Sequence, residues 1–174
     1  VHQVMATLHM VSGHAYWYVD NSSSFQMEDL EQSVKVFEER IYPMITRIFG
    51  TELMPGVDND VHLTILHTPL KGAAGYYSTM DEYSTLVHPF SNQREMIYID
   101  TSGLPLNSRS YLGTLAHELT HAIQFRADPT EDTWINEGLA ELGRELAGYT
   151  SPFHSSFLAT PSVSLTVWPY GGQS

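Results

Sequence analysis

The chain has 174 residues, 42% of them hydrophobic, enough for one domain with a real core and too few for two comfortable ones. A net charge of −12, with eight Lys and Arg against twenty Asp and Glu, leaves little material for a basic phosphate-binding surface, so nucleic acid is excluded as a partner. The absence of cysteine removes disulfides and thiolate metal sites, and no run approaches the roughly 18 apolar residues of a membrane span.

The chain begins at Val1 without a methionine, which reads as a processed product or an excised piece, either of which allows for a removed leader. Val4 to Val11 and Ala15 to Val19, rich in β-branched and aromatic residues, predict a hairpin turning at Ser12-Gly13-His14. Asn21 to Ser24 reads as a cap cluster for a long helix, in which Met27, Leu30, Val34, Phe37, Ile41, Ile45 and Ile48 recur at steps of three and four. Pro43 predicts a kink or restart in this backing helix and Gly50 its stop. Pro55 to Asp60 reads as a turn; its acids lack the twelve-residue calcium-loop pattern. Val61 to Leu66 predicts a central strand. Gly72 to Ser78 is a small-residue loop with aromatic neighbours, suited equally to an ordinary turn or to close approach of an extended peptide. Glu95 to Asp100 predicts the strand that leads into the next helix, which Asn107 or Ser108 would cap.

That helix carries His117-Glu118-Leu119-Thr120-His121. Residues four apart stack on one helical face, about 6 Å apart at Cβ, so His117 and His121 can put two ring nitrogens on one ion. Both fall away from the apolar side marked by Leu112, Leu115, Leu119 and Ile123. Glu118 projects beside the pair, where a carboxylate can act as general base on a water without being a ligand. A catalytic zinc ion usually has three protein ligands and one open position. The best candidate for the third is Glu137, sixteen residues past His121, on an amphipathic segment whose apolar stripe is Ile135, Leu139, Leu142 and Leu146. Helical phasing puts Glu137 and Glu141 opposite that stripe. Between the helices, Pro129 breaks the first, and Asp128 or Thr130 can cap the second. The other histidines, His2, His9, His14, His62, His67 and His88, show no ligand spacing.

The pair HELTH and Asn136-Glu137-Gly138-Leu139-Ala140-Glu141 resembles the gluzincin metallopeptidases, the thermolysin-like group with an HExxH helix and a downstream Asn-Glu. The Trp134 to Gly138 run is similar to that of hyicolysin-like secreted proteases, and no GAMEN-type exopeptidase motif occurs. Metzincins are excluded, since Gln124 and Ala127 stand where they need glycine and a third histidine. The resemblance spans Tyr111 to Leu146. It implies an α+β zincin-like fold: a small mixed sheet and backing helix in 1–107, active-site and glutamate helices in 108–148, and an irregular C-terminal segment in 149–174. It also implies one catalytic Zn2+ on His117, His121 and Glu137, with Glu118 as base and Glu141 bonded to the outer nitrogen of His117 beside Asn136. Larger members carry further helices past this point, so the expectation is a catalytic fragment. The expected activity is peptide-bond hydrolysis of a peptide or protein substrate, outside the cell or in its envelope. The alternative is a silent or latent zinc-stabilised module that grips peptides without cutting them. The group usually adds a tyrosine or histidine that steadies the oxyanion; Tyr170, Tyr149, His154 and Tyr77 are open candidates.

Overall fold

Side-chain alternation along the first two β-rich runs produces the predicted hairpin, β1 (Ala6–Val11) and β2 (Ala15–Asp20), paired antiparallel. Ala15, Trp17 and Val19 turn one way into the core, while Tyr16, Tyr18 and Asp20 face the other side of the sheet. The computed structural model describes residues 3–151 together with Leu158, Ala159, Ser164 and Thr166. Most of the C-terminal segment expected at 149–174 therefore lies outside the described residues.

The centre of the sheet is a parallel pair, β3 (Leu63–Thr68) and β5 (Met96–Asp100), buried at every position. A strand covered on both faces needs a continuous apolar run rather than alternation, as Leu63 to Leu66 and Met96 to Ile99 supply. β3 starts two residues later than the sequence suggests because Asp60 holds the turn before it: its Oδ1 accepts the His62 amide at 2.9 Å and its Oδ2 the Tyr16 hydroxyl at 2.9 Å. Asp58 Oδ1 in turn accepts the Asp60 amide at 3.0 Å, so both acids of the 55–60 turn are engaged in holding it. A three-residue strand, β4 (Gly75–Tyr77), pairs antiparallel with β5, giving a five-stranded mixed sheet of order β1-β2-β3-β5-β4.

The backing helix forms in two pieces, α1 (Met27–Val36) and α2 (Tyr42–Phe49), joined by a π turn over Phe37–Ile41. Pro43 has no amide hydrogen and clashes with the carbonyl four residues back, and the wider π turn accommodates it. Gly50, at φ 93°, ends the helix where the reading of the sequence puts the stop. Leu30, Val34, Phe37, Ile41 and Ile45 are buried against the sheet, whereas Met27 and Ile48 at the two ends are exposed. The Asn21–Ser24 cluster does not cap α1. It forms a turn in which Asp20 accepts the amides of Ser22 and Ser23, and the helix starts after Gln26.

Two long helices follow: α3 (Arg109–Ala127), capped by Ser108 Oγ accepting the Tyr111 amide, and α4 (Thr133–Leu146). Neither Asp128 nor Thr130 caps α4. Asp128 instead accepts the amide and hydroxyl of Thr130, closing the turn, and Asp132 occupies the N-cap without a side-chain bond. The expected core stripe of α4 is also misplaced, since Leu142 and Leu146 are exposed and Ala140 and Gly143 are the buried residues. The helix docks through its small residues, which lets it lie closer to α3 than leucines would allow. No helix among the described residues is long and apolar enough to cross a membrane.

The main core lies between the sheet and the helices, with Trp17, Phe37, Ile65, Ile97, Leu115 and Leu119 among its members. On the other face Leu66, Met96 and Tyr98 form a smaller cluster beside a cavity of about 1010 Å³. His67, fully buried on β3, ties the layers: its Nδ1 lies 2.8 Å from the Tyr18 carbonyl and its Nε2 2.8 Å from the Tyr111 hydroxyl on α3. Donation from Nδ1 to the carbonyl leaves Nε2 to accept from Tyr111, so the ring serves this network neutral. Burial holds its pKa down to about 4, against 6.5 for the unperturbed ring. The unfolded chain therefore takes up a proton first. The stability this neutral ring contributes is complete above pH 6.5 and is lost as the pH falls towards 4, roughly 3 kcal/mol in all. His67→Gln should be less stable than the parent at pH 7 yet show a shallower decline between pH 6.5 and 4 in urea titrations; parallel pH profiles would contradict a neutral buried ring.

Candidate metal centre

Turning α3's leucines inward to the sheet necessarily turns His117 and His121 outward, towards α4. Their Nε2 atoms lie 3.0 Å apart, and Glu137 Oε2 from α4 is 3.4 Å from His117 Nε2 and 3.8 Å from His121 Nε2. Tetrahedral coordination at about 2.0–2.1 Å spaces ligand atoms about 3.3 Å apart, and the three separations straddle that value. Among the described residues, this is the only group of three or more His, Cys, Asp or Glu side chains with ligand atoms within 4.8 Å of one another. Two imidazoles and a carboxylate converging in this way form a donor set that fits a divalent metal ion.

The outer nitrogens explain why both rings aim inward. His121 Nδ1 lies 3.2 Å from Gln124 Oε1; donation there leaves Nε2 free to coordinate. His117 Nδ1 lies 3.1 Å from Glu141 Oε1, within ion-pair distance, although the ring N–H is not aligned for a good hydrogen bond. Arg144 approaches the same Glu141 oxygen at 4.0 Å. Burial opposes charge on His117, but Glu137 and Glu141 outweigh it and hold its pKa well up, while burial and the charge on His117 hold His121 down.

Glu118 borders the same cleft and is 5% exposed. Burial raises its pKa to about 7, with the neighbouring carboxylates Glu137 and Glu141 acting in the same direction and His117 and Arg144 opposing. A carboxylate near neutrality is suited to exchanging protons with a reacting group. The cleft, about 560 Å³, runs from His117, His121 and Glu137 to β4 and is walled by Tyr76, Tyr77, Met80, Tyr83 and Phe125.

Of the residues expected at the site, His117, His121, Glu137, Glu141 and Glu118 are brought together. Asn136 sits nearby in a joining role: its carbonyl accepts from Gln124 Nε2 at 3.2 Å and its Nδ2 donates to the Glu131 carbonyl at 3.2 Å, fastening the start of α4 to α3. Tyr77 lines the cleft, and its hydroxyl is buried with no partner among the described residues. Tyr149 is displaced from the expected role, since it is buried in the core with Arg40 and Arg109 over its ring at 5.3 and 5.7 Å. Tyr170 and His154 lie outside the described residues. Gln124 and Gly143 were not anticipated; the i,i+3 spacing from His121 was a signal for the first, and nothing local marks the second.

Gly143 sets the distance between the helices. A Cβ there would lie 2.2 Å from Thr120 Oγ1 and 3.2 Å from Thr120 Cβ, and Thr120 is buried with its hydroxyl bonded to the Ala116 carbonyl at 2.8 Å. Turning Oγ1 away would break that bond and still leave the new Cβ 3.2–3.3 Å from Thr120 Cβ and Cγ2, so Gly143→Ala should push α4 outward and carry Glu137 and Glu141 with it. A destabilisation of about 2 kcal/mol and a metal affinity at least tenfold weaker are expected, checked by urea unfolding and chelator competition. Adding Thr120→Ala should recover part of both losses.

No protein-family model matches the chain, and no curated protein matches it.

Proposed function

We propose that this protein is a zinc-dependent endopeptidase with a zincin-like fold, in which His117, His121 and Glu137 hold the ion and Glu118 is the general base. The observation that carries the reading is the convergence of three ligand atoms, spaced for a tetrahedral ion, with an unligated buried carboxylate in the same open cleft. A purely structural zinc site normally closes its fourth position with a protein group, and no fourth ligand joins this cluster among the described residues. Zinc is favoured over calcium or magnesium because two of the three donors are imidazole nitrogens.

When bound, the ion supplies Lewis-acid polarisation of the substrate carbonyl and acidifies water. The chain's own groups do the rest. Glu118 takes the proton of the attacking water and delivers it to the leaving amine. Glu141 and Gln124 keep the imidazoles aimed. The three-residue edge strand β4 leaves one side unpaired in the sheet at the cleft margin, and an extended peptide laid there gains main-chain hydrogen bonds.

The test is a metal assay paired with cleavage of casein or a quenched peptide, with and without a chelator. One equivalent of zinc together with cleavage that the chelator abolishes and added zinc restores is the expected result. Zinc binding without such cleavage would turn the reading towards a peptide-gripping module.

A further inference from the structure

Histidines apart, the charged side chains that line the cleft are all acidic. None of the eight Lys and Arg lines it, although four carboxylates do: Glu118 and Glu137 at the metal centre, and Asp128 and Glu131 in the α3–α4 turn. Arg126, only two residues from Asp128, donates from Nη1 to the Thr51 carbonyl at 3.1 Å, the Thr51 hydroxyl at 2.7 Å and the Glu52 carbonyl at 2.8 Å, on the far side of α3's end. Arg40 and Arg109 lie over Tyr149, and Arg144 sits behind Glu141. Among the described residues neither Asp128 nor Glu131 has an ion-pair partner.

Local bonds fix where these two acids stand. Asp128 Oδ1 accepts the Thr130 amide and hydroxyl, and Glu131 Oε1 accepts the Asp132 amide, while the second oxygen of each is free of protein partners among the described residues. The same cleft offers Tyr76, Met80 and Tyr83, each between 40 and 46% exposed. Half-exposed aromatic and thioether groups give an aliphatic stem a surface to lie on and give a cation a ring face. A long side chain with an apolar stem and a positive head matches both features at once, and acidic side chains lining a cleft concentrate such partners there.

We infer that the cleft selects polypeptide segments carrying Lys or Arg beside the bond it acts on, with Asp128 and Glu131 as the acidic partners of that side chain. This selection rests on the peptidase reading for its chemistry but not for its binding, which allows the two to fail separately.

The test uses quenched peptides identical except for Arg, Leu or Glu next to the cleaved bond, on zinc-loaded protein. At low ionic strength kcat/KM should favour Arg over Glu by at least tenfold, mostly through KM, with the ratio narrowing in 0.5 M NaCl. In Asp128→Asn/Glu131→Gln the ratio should fall to within about threefold of unity, and in Asp128→Lys/Glu131→Lys it should invert. Equal cleavage of the Arg and Glu peptides by the parent, or an unchanged ratio in the neutral double variant, overturns the inference. If the parent cleaves none of the peptides, the peptidase reading fails, and fluorescence anisotropy of the same peptides on zinc-loaded Glu118→Gln protein decides the selectivity. Tighter Arg binding that disappears with the two acids supports it, and equal binding overturns it.

Discussion

Glu118→Gln is expected to lower kcat for peptide cleavage by about a thousandfold or more while leaving zinc bound at one equivalent. The carboxylate is placed to take and return a proton, a role worth about 10²–10⁴ in rate, and the amide has the same shape without the basicity. Glu118 touches none of the three ligand atoms within ion-pair distance, so its replacement removes no donor from the metal. Burial already works against its charge, so an uncharged amide should not destabilise the fold, and unfolding in urea should be no easier than for the parent. Chelator-competition measurements alongside single-turnover cleavage separate the two effects. Residual activity within tenfold of the parent would refute the assignment of the base.

His121→Ala and Glu137→Ala should fail in the opposite way, by losing the ion. Each removes one of three protein donors; if the donors share a binding free energy of about 10–16 kcal/mol equally, the loss is roughly 300- to 8,000-fold in affinity. The contrast is Glu141→Gln, which meets His117 at its outer nitrogen alone and should weaken the metal by about 10–100-fold. The ordering, ligand first and supporting carboxylate second, is the expected result of zinc titration against a fluorescent chelator. An equal loss for Glu141 and Glu137 would mean that Glu141 itself coordinates.

Much of this centre is legible along the chain because helical geometry is local. The four-residue step from His117 to His121, with Glu118 beside it, fixes their relation on α3 whatever surrounds the helix. The hairpin, the two central strands and the backing helix follow equally from local pattern: alternation in Ala15 to Val19, continuous apolar runs at Leu63 and Met96, and a three-and-four step from Leu30 to Ile45. Pro43 predicts a disturbance, though not that it would take the form of a π turn.

Periodicity misleads on α4. Its leucines mark the stripe expected to be buried, yet the helix turns Ala140 and Gly143 to α3 and leaves Leu142 and Leu146 exposed. Amphipathicity reports which residues avoid water on average, whereas a close helix crossing requires a seam without side-chain bulk. Tyr149 was open as a cleft residue for a similar reason, since nothing in its neighbours reveals that two arginines and the core enclose it.

The sequence by itself determined the identities at the candidate metal centre: two imidazoles, the glutamate beside the first and a downstream glutamate, in an order that one helical turn makes meaningful. Only the tertiary structure decided that Glu137 reaches within 3.4 Å of His117, that Tyr77 rather than Tyr149 borders the cleft, and that Arg126 turns from Asp128 to the Thr51–Glu52 carbonyls. The division has a physical cause. Angles within one helix are set by backbone hydrogen bonds between near neighbours, but the distance between two helices is set by packing, here by Gly143 against Thr120, across residues that no local pattern connects.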